Sequence, residues 1–317
     1  MQTIGLIGAG LMGRGIGKNL LAKGKSLVTL AHRDRSGVEQ LLARGATEAT
    51  SPRDVAAKSD AVIVCVTAAP QLERVVFGEE GLLSGLRAGH LVIDCTTGEP
   101  ELTDRLAADL AARGIDFVDA PLARTPVEAE AGRLNAMVGG TPEAFRRAEP
   151  ILALFCENIF PMGPAGSGAR MKLINNLITM GQAVLIAEAL VACRKTGVDP
   201  ERFRAVISAG GGNSGIFQML VPALLEEGSC EGMGFSLANA EKDLRYLLRM
   251  LGSAGQAAPV GAAVHAAFLQ AKNAGYGDGL VGHLIAAQAD LNGVPQDFKA
   301  AAATAETGSR PQKAAGS

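Results

Sequence analysis

The chain has 317 residues, of which 48% are hydrophobic, only 4% are aromatic and none is Trp. This length allows two domains of ordinary size, whose cores must be filled mainly by aliphatic side chains. The formal net charge of −2 provides no basic field, which argues against nucleic acid as a partner. The cysteines are far apart and form no C-x-x-C pair, as expected for reduced thiols in a cytosolic protein: Cys65, Cys95, Cys156, Cys193 and Cys230.

Neither the N-terminus nor the most apolar later segment of the chain predicts a membrane protein. The N-terminus leads directly into MQTIGLIGAG, without the cationic region and cleavage pattern of a signal peptide. The most apolar later segment, Leu173–Cys193, contains Asn175, Asn176, Gln182 and Glu188, which argues against a membrane span. We therefore expect a cytoplasmic protein without a membrane partner.

The first half of the chain alternates short apolar runs with helical patterns. The runs TIGLIG, SLVTLA, AVIVCV, LVIDC and IDFVDA predict strands, and the segments Leu11–Lys23 and Glu101–Arg113 predict helices between them. Continuous apolar strands that alternate with helices are typical of a parallel sheet covered on both faces. Near Gly132 the pattern changes to LNAMVGG, a helical segment at Pro142–Leu154 and NIFPMG, which we interpret as the end of the sheet.

Beyond GPAGSG the strand signals stop and helical patterns follow. One long helix, apolar on most of its circumference and therefore buried, is predicted from Ala169 to about Lys195. The predicted fold is a doubly wound, mostly parallel α/β Rossmann domain at residues 1–163, joined by this interdomain helix to an all-α domain at 164–295. The small, polar and aperiodic residues 296–317 predict a disordered tail. Further helices are predicted at Pro200–Ser208, Ile216–Glu227, Phe235–Leu251, Val260–Ala274 and Leu280–Ala289.

A glycine-rich loop follows the first predicted strand. IGLIGAGLMGRG places Gly8, Gly10 and Gly13 in G-x-G-x-x-G spacing before a helix. Such glycines permit a tight turn, close approach to a pyrophosphate and close helix–strand packing, and the helix N-terminus offers amides to phosphates. We predict a dinucleotide site formed by these glycines with Leu11 and Met12. The alternative is a purely structural turn.

The end of the second predicted strand bears on the choice between NADP(H) and NAD(H). NAD sites usually carry an acidic residue here, whereas this chain has Ala31, His32 and Arg33. The planar guanidinium of Arg33 suits a 2′-phosphate, so NADP(H) is favoured, with His32 and Arg33 as cofactor contacts. NAD(H) stays open because Asp34 could reach the ribose instead, and a solvated run of surface charge is the third interpretation.

Four polar residues recur at helical spacing on the long apolar helix. Lys172, Asn175, Asn176 and Thr179 share one face, and polar groups are costly to bury without partners. Reduction of an aldehyde needs a proton donor at the carbonyl oxygen, and a Lys whose pKa is lowered in a partly dry cleft suits that role. The spacing alone leaves open a surface Lys beside asparagines that bond nearby backbone.

Several motifs in order resemble those of the β-hydroxyacid dehydrogenases, the family of 3-hydroxyisobutyrate dehydrogenase and tartronate semialdehyde reductase. The resemblance spans about residues 1–295 and is carried by GLIGAGLMGRG, DCTTGEP, DAPLARTP, AGRLNAMVGG, GARMKLINN and FSLANAEKDL. It implies that Lys172 of K-x-x-N-N is the catalytic acid/base and that Asn176 assists it. It also implies a Rossmann domain with an all-helical domain, in a homodimer or homotetramer that shares helical-domain contacts.

The same resemblance implies further cofactor contacts. Thr96 would face the nicotinamide, Lys242 of the F-x₆-K-D-L motif would close over the cofactor or substrate, and Thr67 joins them as a predicted cofactor residue. The HRD stretch is similar to one in NADPH-using glyoxylate and succinic semialdehyde reductases, which supports NADP(H).

The loop DAPLARTP departs from the family pattern. Most members carry S-G-G after D-A-P-V, where a hydroxyl and amides bind the substrate carboxylate, but this chain has Ala123, Arg124 and Thr125. The loop resembles the sulfolactaldehyde reductase subgroup, which has G-R-T, a similar KLINN helix and a stretch like ISAGGGNSGIF. In that subgroup the Arg holds the substrate sulfonate, helped by residues matching Asn175 and Thr179. The subgroup differs at the cofactor stretch, where it has an acidic, NAD-type residue.

Arg124 is therefore predicted to anchor the anionic group of a short aldehyde or hydroxyacid, since a guanidinium binds a carboxylate or sulfonate with two hydrogen bonds. The alternative is a surface pair with Glu128 or Glu130.

The four histidines lie at no metal-ligand spacing with one another or with Cys, so we predict no metal.

The predicted function is reversible hydride transfer between NADPH and a short aldehyde acid such as sulfolactaldehyde, succinic or tartronate semialdehyde, or glyoxylate. One alternative is an imine reductase, a group with the same architecture that usually lacks the K-x-x-N-N lysine. A second is a non-catalytic NADP-binding module that docks to a partner. The set of Lys172, Asn176 and Lys242 argues against the second.

Overall fold

The computed structural model describes residues 2–32 and 34–298. Its first half is a sheet with helices on both faces, and its second half is helical. The strands of the described chain are β1 Thr3–Ile7, β2 Ser26–Leu30, β3 Thr47–Glu48, β4 Ala61–Val64, β5 Leu91–Asp94, β6 Asp116–Asp119, β7 Leu122–Ala123, β8 Leu134–Gly140 and β9 Cys156–Gly163.

The sheet has the strand order of a doubly wound dinucleotide fold. The order is β3, β2, β1, β4, β5, β6, β8, β7, and β9 pairs with β8. The six strands from β3 to β6 pair in parallel, whereas β8 runs antiparallel to β6 and β7. The chain reverses its winding direction between β1 and β4, and the loops that leave these two strands diverge there. Ligands of open α/β sheets bind at this switch point.

Helices of the first half cover both faces of the sheet, and their apolar sides pack on strands that are buried along most of their length. Proline at the first helical position begins α3, α5, α6 and α7, where its missing amide costs no hydrogen bond. The helices are α1 Leu11–Ala22, α2 Ser36–Leu42, α3 Pro52–Ala57, α4 Ala69–Phe77, α5 Pro100–Ala111, α6 Pro126–Ala131 and α7 Pro142–Leu152.

The second half is organised around one 30-residue helix, α8, which begins four residues after β9 ends. By length and composition it could cross a membrane, but half of its most apolar window is buried, and it packs on α10, α11, α12 and α13 as the core helix of a bundle does. The helices are α8 Ser167–Thr196, α9 Pro200–Ser208, α10 Gly215–Pro222, α11 Leu237–Ser253, α12 Pro259–Ala271 and α13 His283–Leu291.

The predicted fold class, a mostly parallel α/β sheet domain followed by a helical domain, is confirmed. Two strands of only two residues each, β3 and β7, are too short to produce a periodic pattern, and the sequence did not predict them. The predicted helices that begin at Ile216 and Val260 each continue into a wider π-helical turn, at Ala223–Glu227 and Lys272–Tyr276. Residues 299–317 of the predicted tail lie outside the described residues.

Candidate active site

A cleft of about 370 Å³ lies where the carboxyl ends of the parallel strands meet the helical half. Loops after β1, β4, β5 and β6 form one wall, and α8, the start of α11 and the segment before it form the other. The residues that line the cleft are Gly10, Leu11, Met12, Gly13, Cys65, Val66, Thr67, Cys95, Thr97, Leu122, Arg124, Pro126, Lys172, Gly234, Phe235, Ser236, Asn239, Lys242, Asp243 and Leu280.

The three glycines of the loop are required for different structural reasons. Gly8 has φ +102°, and a Cβ there would lie 2.1 Å from the Cys65 carbonyl oxygen. A Cβ on Gly13 would lie 1.7 Å from the Gly8 carbonyl oxygen, so Gly8 and Gly13 are required by the turn itself. A Cβ on Gly10 would meet no protein atom within 4 Å, because this residue faces the cleft.

The N-terminus of α1 fits a pyrophosphate group. Gly10 is the N-cap residue and no side chain caps the helix, so its first amides have no side-chain acceptor. Helix N-termini of this kind bind phosphate through amides and the positive end of the helix dipole. The loop therefore meets the requirements of a dinucleotide cofactor on both counts, since Gly10 also leaves space beside the amides.

Helix α6 fixes the loop DAPLART, which follows β6, to α1. A Cβ on Gly15 would lie 2.6 Å from the Ala129 carbonyl carbon, which places the backbones of α1 and α6 in contact. Asn19 Nδ2 donates to the Ala129 carbonyl at 3.0 Å, and Glu130 accepts from both Arg14 and Lys18 on α1. Because α6 directly follows the loop DAPLART, these contacts define the position of that loop relative to the cofactor site.

The remaining predicted cofactor residues lie in different environments. His32 is exposed just after β2, and Arg33 lies outside the described residues. The carbonyl of Thr67 accepts a hydrogen bond from Lys242 Nζ. Thr96 is 3% exposed and its hydroxyl accepts the Val66 amide, so it joins the ends of β4 and β5. Thr97, the next residue, lines the cleft, but it was not among the predicted cofactor residues.

Lys172 projects from the first turns of α8 into the cleft and is partly buried. Desolvation lowers the pKa of its ammonium group. The Asp243 carboxylate acts in the opposite direction and raises this pKa, while the nearby Lys242 ammonium lowers it further. The balance is a lysine that gives up its proton more readily than an exposed one, as the sequence analysis expected of an acid/base in a dry cleft.

A buried carboxylate joins the two helices beneath Lys172. Asn176 Nδ2 donates to Asp243 Oδ2 at 2.7 Å, and Lys242 Nζ lies 3.1 Å from Asp243 Oδ1. Asp243 is 2% exposed, and its burial raises the pKa of its carboxyl group against the lowering effect of the two lysines and Asn176. Oδ1 is not aligned for a hydrogen bond with any described residue, so it retains an acceptor position beside the ammonium groups.

Lys242 also connects the helical half to the sheet. Its Nζ donates to the carbonyl oxygens of Thr67 and Thr97, with a distance of 3.1 Å to Thr97. These two residues lie just beyond the ends of β4 and β5. Lys242 as a whole is 8% exposed. A cation that binds two loop carbonyls and a buried carboxylate holds the two sides of the cleft together.

The two other polar residues of the α8 face have local partners. Asn175 Nδ2 donates to Asn176 Oδ1 at 3.2 Å, and the Thr179 hydroxyl donates to the Asn175 carbonyl at 3.2 Å. Both are partly exposed. They lie on the same face as Lys172 but are not among the residues that line the cleft.

The loop DAPLART has an unusual backbone at Arg124. Its φ is +80°, and Arg124 is the one non-glycine residue of the described chain with a positive φ. Glycine adopts this conformation without steric cost, whereas an arginine holds it under strain. Ala123, in β7, pairs with Asn135 of β8. Thr125 is the N-cap of α6, and its hydroxyl donates to the Glu128 carboxylate.

The guanidinium of Arg124 is bound at the outer edge of the loop. Nη1 donates to the Arg133 carbonyl at 2.6 Å and to the Glu157 carboxylate. The sequence analysis named Glu128 or Glu130 as alternative partners, but the structure pairs Glu128 with Thr125 and Glu130 with α1. The Arg124 side chain still lines the cleft and is 32% exposed.

Sequence reasoning missed Asp119, which sets the start of α8. Its two carboxylate oxygens accept the amides of Gly166 and Ala169, each at 2.7 Å. Burial raises the pKa of Asp119 to about 6, although these hydrogen bonds lower it. Since Lys172 follows Ala169 by one helical turn, this contact fixes the position of the lysine relative to β6.

Three polar cleft residues on or before α11 were also missed. Ser236 is the N-cap of α11 and its hydroxyl accepts the Asn239 amide. Both face the cleft together with Asp243. Their spacing of three and four residues in FSLANAEKD was a signal that they share a helix face.

Family models match both halves of this fold. Residues 3–163 match the NAD binding domain of 6-phosphogluconate dehydrogenase. Residues 166–286 match the model described as NAD-binding of NADP-dependent 3-hydroxyisobutyrate dehydrogenase. The chain belongs to the β-hydroxyacid dehydrogenase family. This confirms the predicted family and the prediction of an NAD(P)-dependent oxidoreductase.

Individual members of the β-hydroxyacid dehydrogenase family resemble the chain over most of its length. It is 34% identical to 3-sulfolactaldehyde reductase of Escherichia coli (strain K12) over 277 residues, which is 87% of this chain and 92% of that protein. It is 31% identical to 2-hydroxy-3-oxopropionate reductase of the same organism over 250 residues, 78% of this chain and 84% of that protein.

The solved structures include a 3-hydroxyisobutyrate dehydrogenase from Mycobacterium tuberculosis with L-serine. It superposes with a TM-score of 0.81 at 26% sequence identity, covering 90% of this chain and 98% of that chain. Sequence and structure thus agree on the family, whose members are NAD(P)-dependent hydroxyacid dehydrogenases.

Proposed function

We propose that this protein reversibly reduces a short aldehyde that carries an anionic group, with NADPH as the preferred hydride donor. The observation that carries the proposal is Lys172, whose pKa is lowered by burial in a cleft that also contains the glycine loop. A dinucleotide on the loop and a proton donor across the cleft are the two requirements for reducing a carbonyl. The relatives named 3-sulfolactaldehyde reductase and 2-hydroxy-3-oxopropionate reductase support the substrate class.

The nicotinamide supplies the hydride to the carbonyl carbon when the cofactor is bound. Lys172 in its ammonium form donates a proton to the carbonyl oxygen, which prevents a free alkoxide from forming. In the oxidative direction the neutral amine accepts the hydroxyl proton. The Asp243 carboxylate stabilises the ammonium form after each oxidation step, because it raises the pKa of Lys172. Asn176 holds Asp243 in place through the hydrogen bond of 2.7 Å.

The preference for NADPH rests on the second strand. The sequence HRD provides no acidic residue directly at the end of β2, and Asp34 accepts the amide of Ser36 at 2.9 Å. A carboxylate that is bonded to its own loop is less available to the ribose hydroxyls. This supports a cofactor with a 2′-phosphate, although the 3-sulfolactaldehyde reductase subgroup resembles NAD users at this position.

Arg124 is proposed as the anion anchor. Asn175 and Thr179 share the α8 face of Lys172 but do not line the cleft, so their predicted role as substrate contacts rests on the family resemblance alone. Arg124 lines the same cleft as Lys172, and only Nη1 of its guanidinium has a hydrogen-bond partner among the described residues. A bound anion would orient the carbonyl between the nicotinamide and Lys172, which is catalysis by positioning. A cytoplasmic location and a homodimer or homotetramer stay predictions.

An aldehyde panel tests the proposal. Initial rates of NADPH and NADH oxidation are measured with sulfolactaldehyde, succinic semialdehyde, tartronate semialdehyde, glyoxylate and the neutral aldehyde propanal. We expect reduction of at least one anionic aldehyde, with a lower KM than for propanal and with NADPH preferred. If none of the anionic aldehydes oxidises NADPH, the proposed function is contradicted. A cyclic imine assayed in the same way would then favour the imine reductase alternative if it is reduced.

A further inference from the structure

A β-bulge places an acidic residue against the proposed anion anchor. In the pairing of β8 with β9, Leu134 faces Cys156 and the next residue, Asn135, faces Asn158. Glu157 is therefore an extra residue without a partner on β8. Bulges of this kind redirect a side chain and occur frequently beside functional sites. Here the redirected side chain is the carboxylate that binds Arg124 Nη1.

Arg124 is held in this position by two acceptors on one side. The Arg133 carbonyl lies 2.6 Å from Nη1, and the Glu157 carboxylate binds the same nitrogen. Nε and Nη2 have no hydrogen-bond partner within residues 2–32 and 34–298. The planar fork therefore has a free edge, while its charge is already compensated by Glu157.

The backbone of the loop supports a specific role for this arrangement. A positive φ at a residue other than glycine is strained and persists where the surroundings impose it. Here the strained residue directly precedes the capping box at Thr125 and helix α6, which packs closely on α1. The side chain of Arg124 is thus directed to the edge of the cleft by a rigid loop, and the bulged Glu157 meets it there.

The ion pair is exchangeable. The Arg124 and Glu157 side chains are 32% and 47% exposed, and ion pairs at such sites contribute little because water and salt screen them. An anion that enters the cleft and binds Arg124 with two oxygens can therefore displace Glu157 or share the guanidinium with it. In either case the Glu157 charge opposes the incoming anion.

We propose that Glu157 is an internal competitor for the anionic group of the substrate and thereby sets the affinity of the anchor. In the free enzyme it occupies Arg124, and every anionic substrate is bound against it. This inference rests on the proposed role of Arg124, and it predicts that removing the Glu157 charge strengthens anion binding.

The test is the variant Glu157→Gln, which keeps an oxygen acceptor for Arg124 and removes the charge. Propane-1-sulfonate, which cannot react, is titrated by calorimetry into the full-length, NADP⁺-loaded enzyme. We expect binding about two- to fivefold tighter than in the wild type, the range by which exposed ion pairs act. With any aldehyde that the enzyme reduces, the effect falls on KM rather than on kcat, and it shrinks as salt is added.

Two further variants make the result specific. In Arg124→Gly the anchor is absent, so adding Glu157→Gln to it should have no effect on the titration. Asp116→Asn removes a carboxylate from a comparable exposed pair with Arg147 outside the cleft and should leave anion binding unchanged. Equal or weaker binding by Glu157→Gln, or no binding by it and by the wild type, would overturn the inference. Because the probe is not a substrate, failure of the aldehyde panel is distinguishable from failure of this test.

Discussion

Asn176 on α8 donates a hydrogen bond of 2.7 Å from Nδ2 to Oδ2 of Asp243 on α11. The contact joins two helices that each bring a lysine to the same carboxylate, Lys172 from α8 and Lys242 from α11. The pKa of Lys172 is lowered and the pKa of Asp243 is raised, in both cases mainly by desolvation. The pKa of Lys172, the proposed acid/base, is therefore adjusted by its charged neighbours as well as by burial.

Replacing Lys172 by Ala tests the acid/base assignment. The variant lacks the proton donor, so we expect turnover to fall by about 10²- to 10⁴-fold, while the dissociation constant of NADPH, followed by cofactor fluorescence, changes little. Lys172→Arg is the matched control: it keeps a cation but not a group that can release its proton in the reaction, and it should be nearly as slow. Wild-type turnover in Lys172→Ala would refute the assignment.

The pH dependence of reduction should respond to Asp243 in a defined direction. In the proposed mechanism reduction requires protonated Lys172, so kcat should fall as the pH rises through the pKa of that group. The Asp243 carboxylate raises this pKa, and Asp243→Asn should lower it. The fall in kcat therefore moves to lower pH in the variant, as measured in full pH profiles with saturating cofactor.

A second carboxylate variant controls for the loss of one negative charge. Asp104 forms an exposed pair with Arg170 near the start of α8 and is not among the residues that affect Lys172. Asp104→Asn should leave the pH profile unchanged. A shift to higher pH in Asp243→Asn would mean that the carboxylate does not act on Lys172 as described.

Much of this site could be predicted from sequence because its signals are local. The glycine loop has fixed spacing, and Lys172, Asn175, Asn176 and Thr179 repeat at the period of a helix. Continuous apolar strands between helical patterns indicated the sheet for the same reason. Spacing gives the face that a residue occupies, however, and not the group that it meets across the cleft.

The contacts that could not be predicted join distant parts of the chain. Asp243 lies 67 residues from Asn176, and Glu157 lies 33 residues from Arg124. The bulge that directs Glu157 depends on the register of two strands, and no local pattern in the sequence shows that register. Asp119 was visible as the first residue of DAPLARTP, but its role as the acceptor for the start of α8 depends on the packing of two domains.

The start of α8 offers a test of stability. Asp119→Ala removes both oxygen acceptors from the buried amides of Gly166 and Ala169. Leaving two buried donors unpaired should lower the free energy of unfolding by roughly 2–4 kcal/mol, measured by urea denaturation. Asp104→Ala, which removes the exposed α5 partner of Arg170 at the start of α8, should cost less than about 1 kcal/mol. Similar values for the two variants would contradict the role of Asp119.

Two glycines of the cofactor loop should fail in different ways. In Gly13→Ala the new Cβ overlaps the Gly8 carbonyl, so we expect a lower melting temperature together with weak NADPH binding. In Gly10→Ala the Cβ meets no protein atom but occupies the space proposed for the pyrophosphate. That variant should keep its melting temperature and lose affinity for NADPH. If Gly10→Ala binds NADPH as tightly as the wild type, the pyrophosphate does not lie against this residue.

Arg124→Gly is the sharpest substitution for the anion anchor, because glycine accepts the φ of +80° that any other residue would hold under strain. It removes the guanidinium without adding a backbone cost. A charged hydrogen-bonded contact is worth roughly 1.5–3 kcal/mol, so KM for an anionic aldehyde should rise by about ten- to a hundredfold, while KM for propanal should stay within about twofold. Arg124→Lys keeps the charge but loses the planar fork, and its KM for an anionic aldehyde should lie between those of the wild type and Arg124→Gly. Equal increases in KM for anionic and neutral aldehydes would mean that Arg124 supports the loop and its ion pair with Glu157, and that the anionic group is held elsewhere in the cleft.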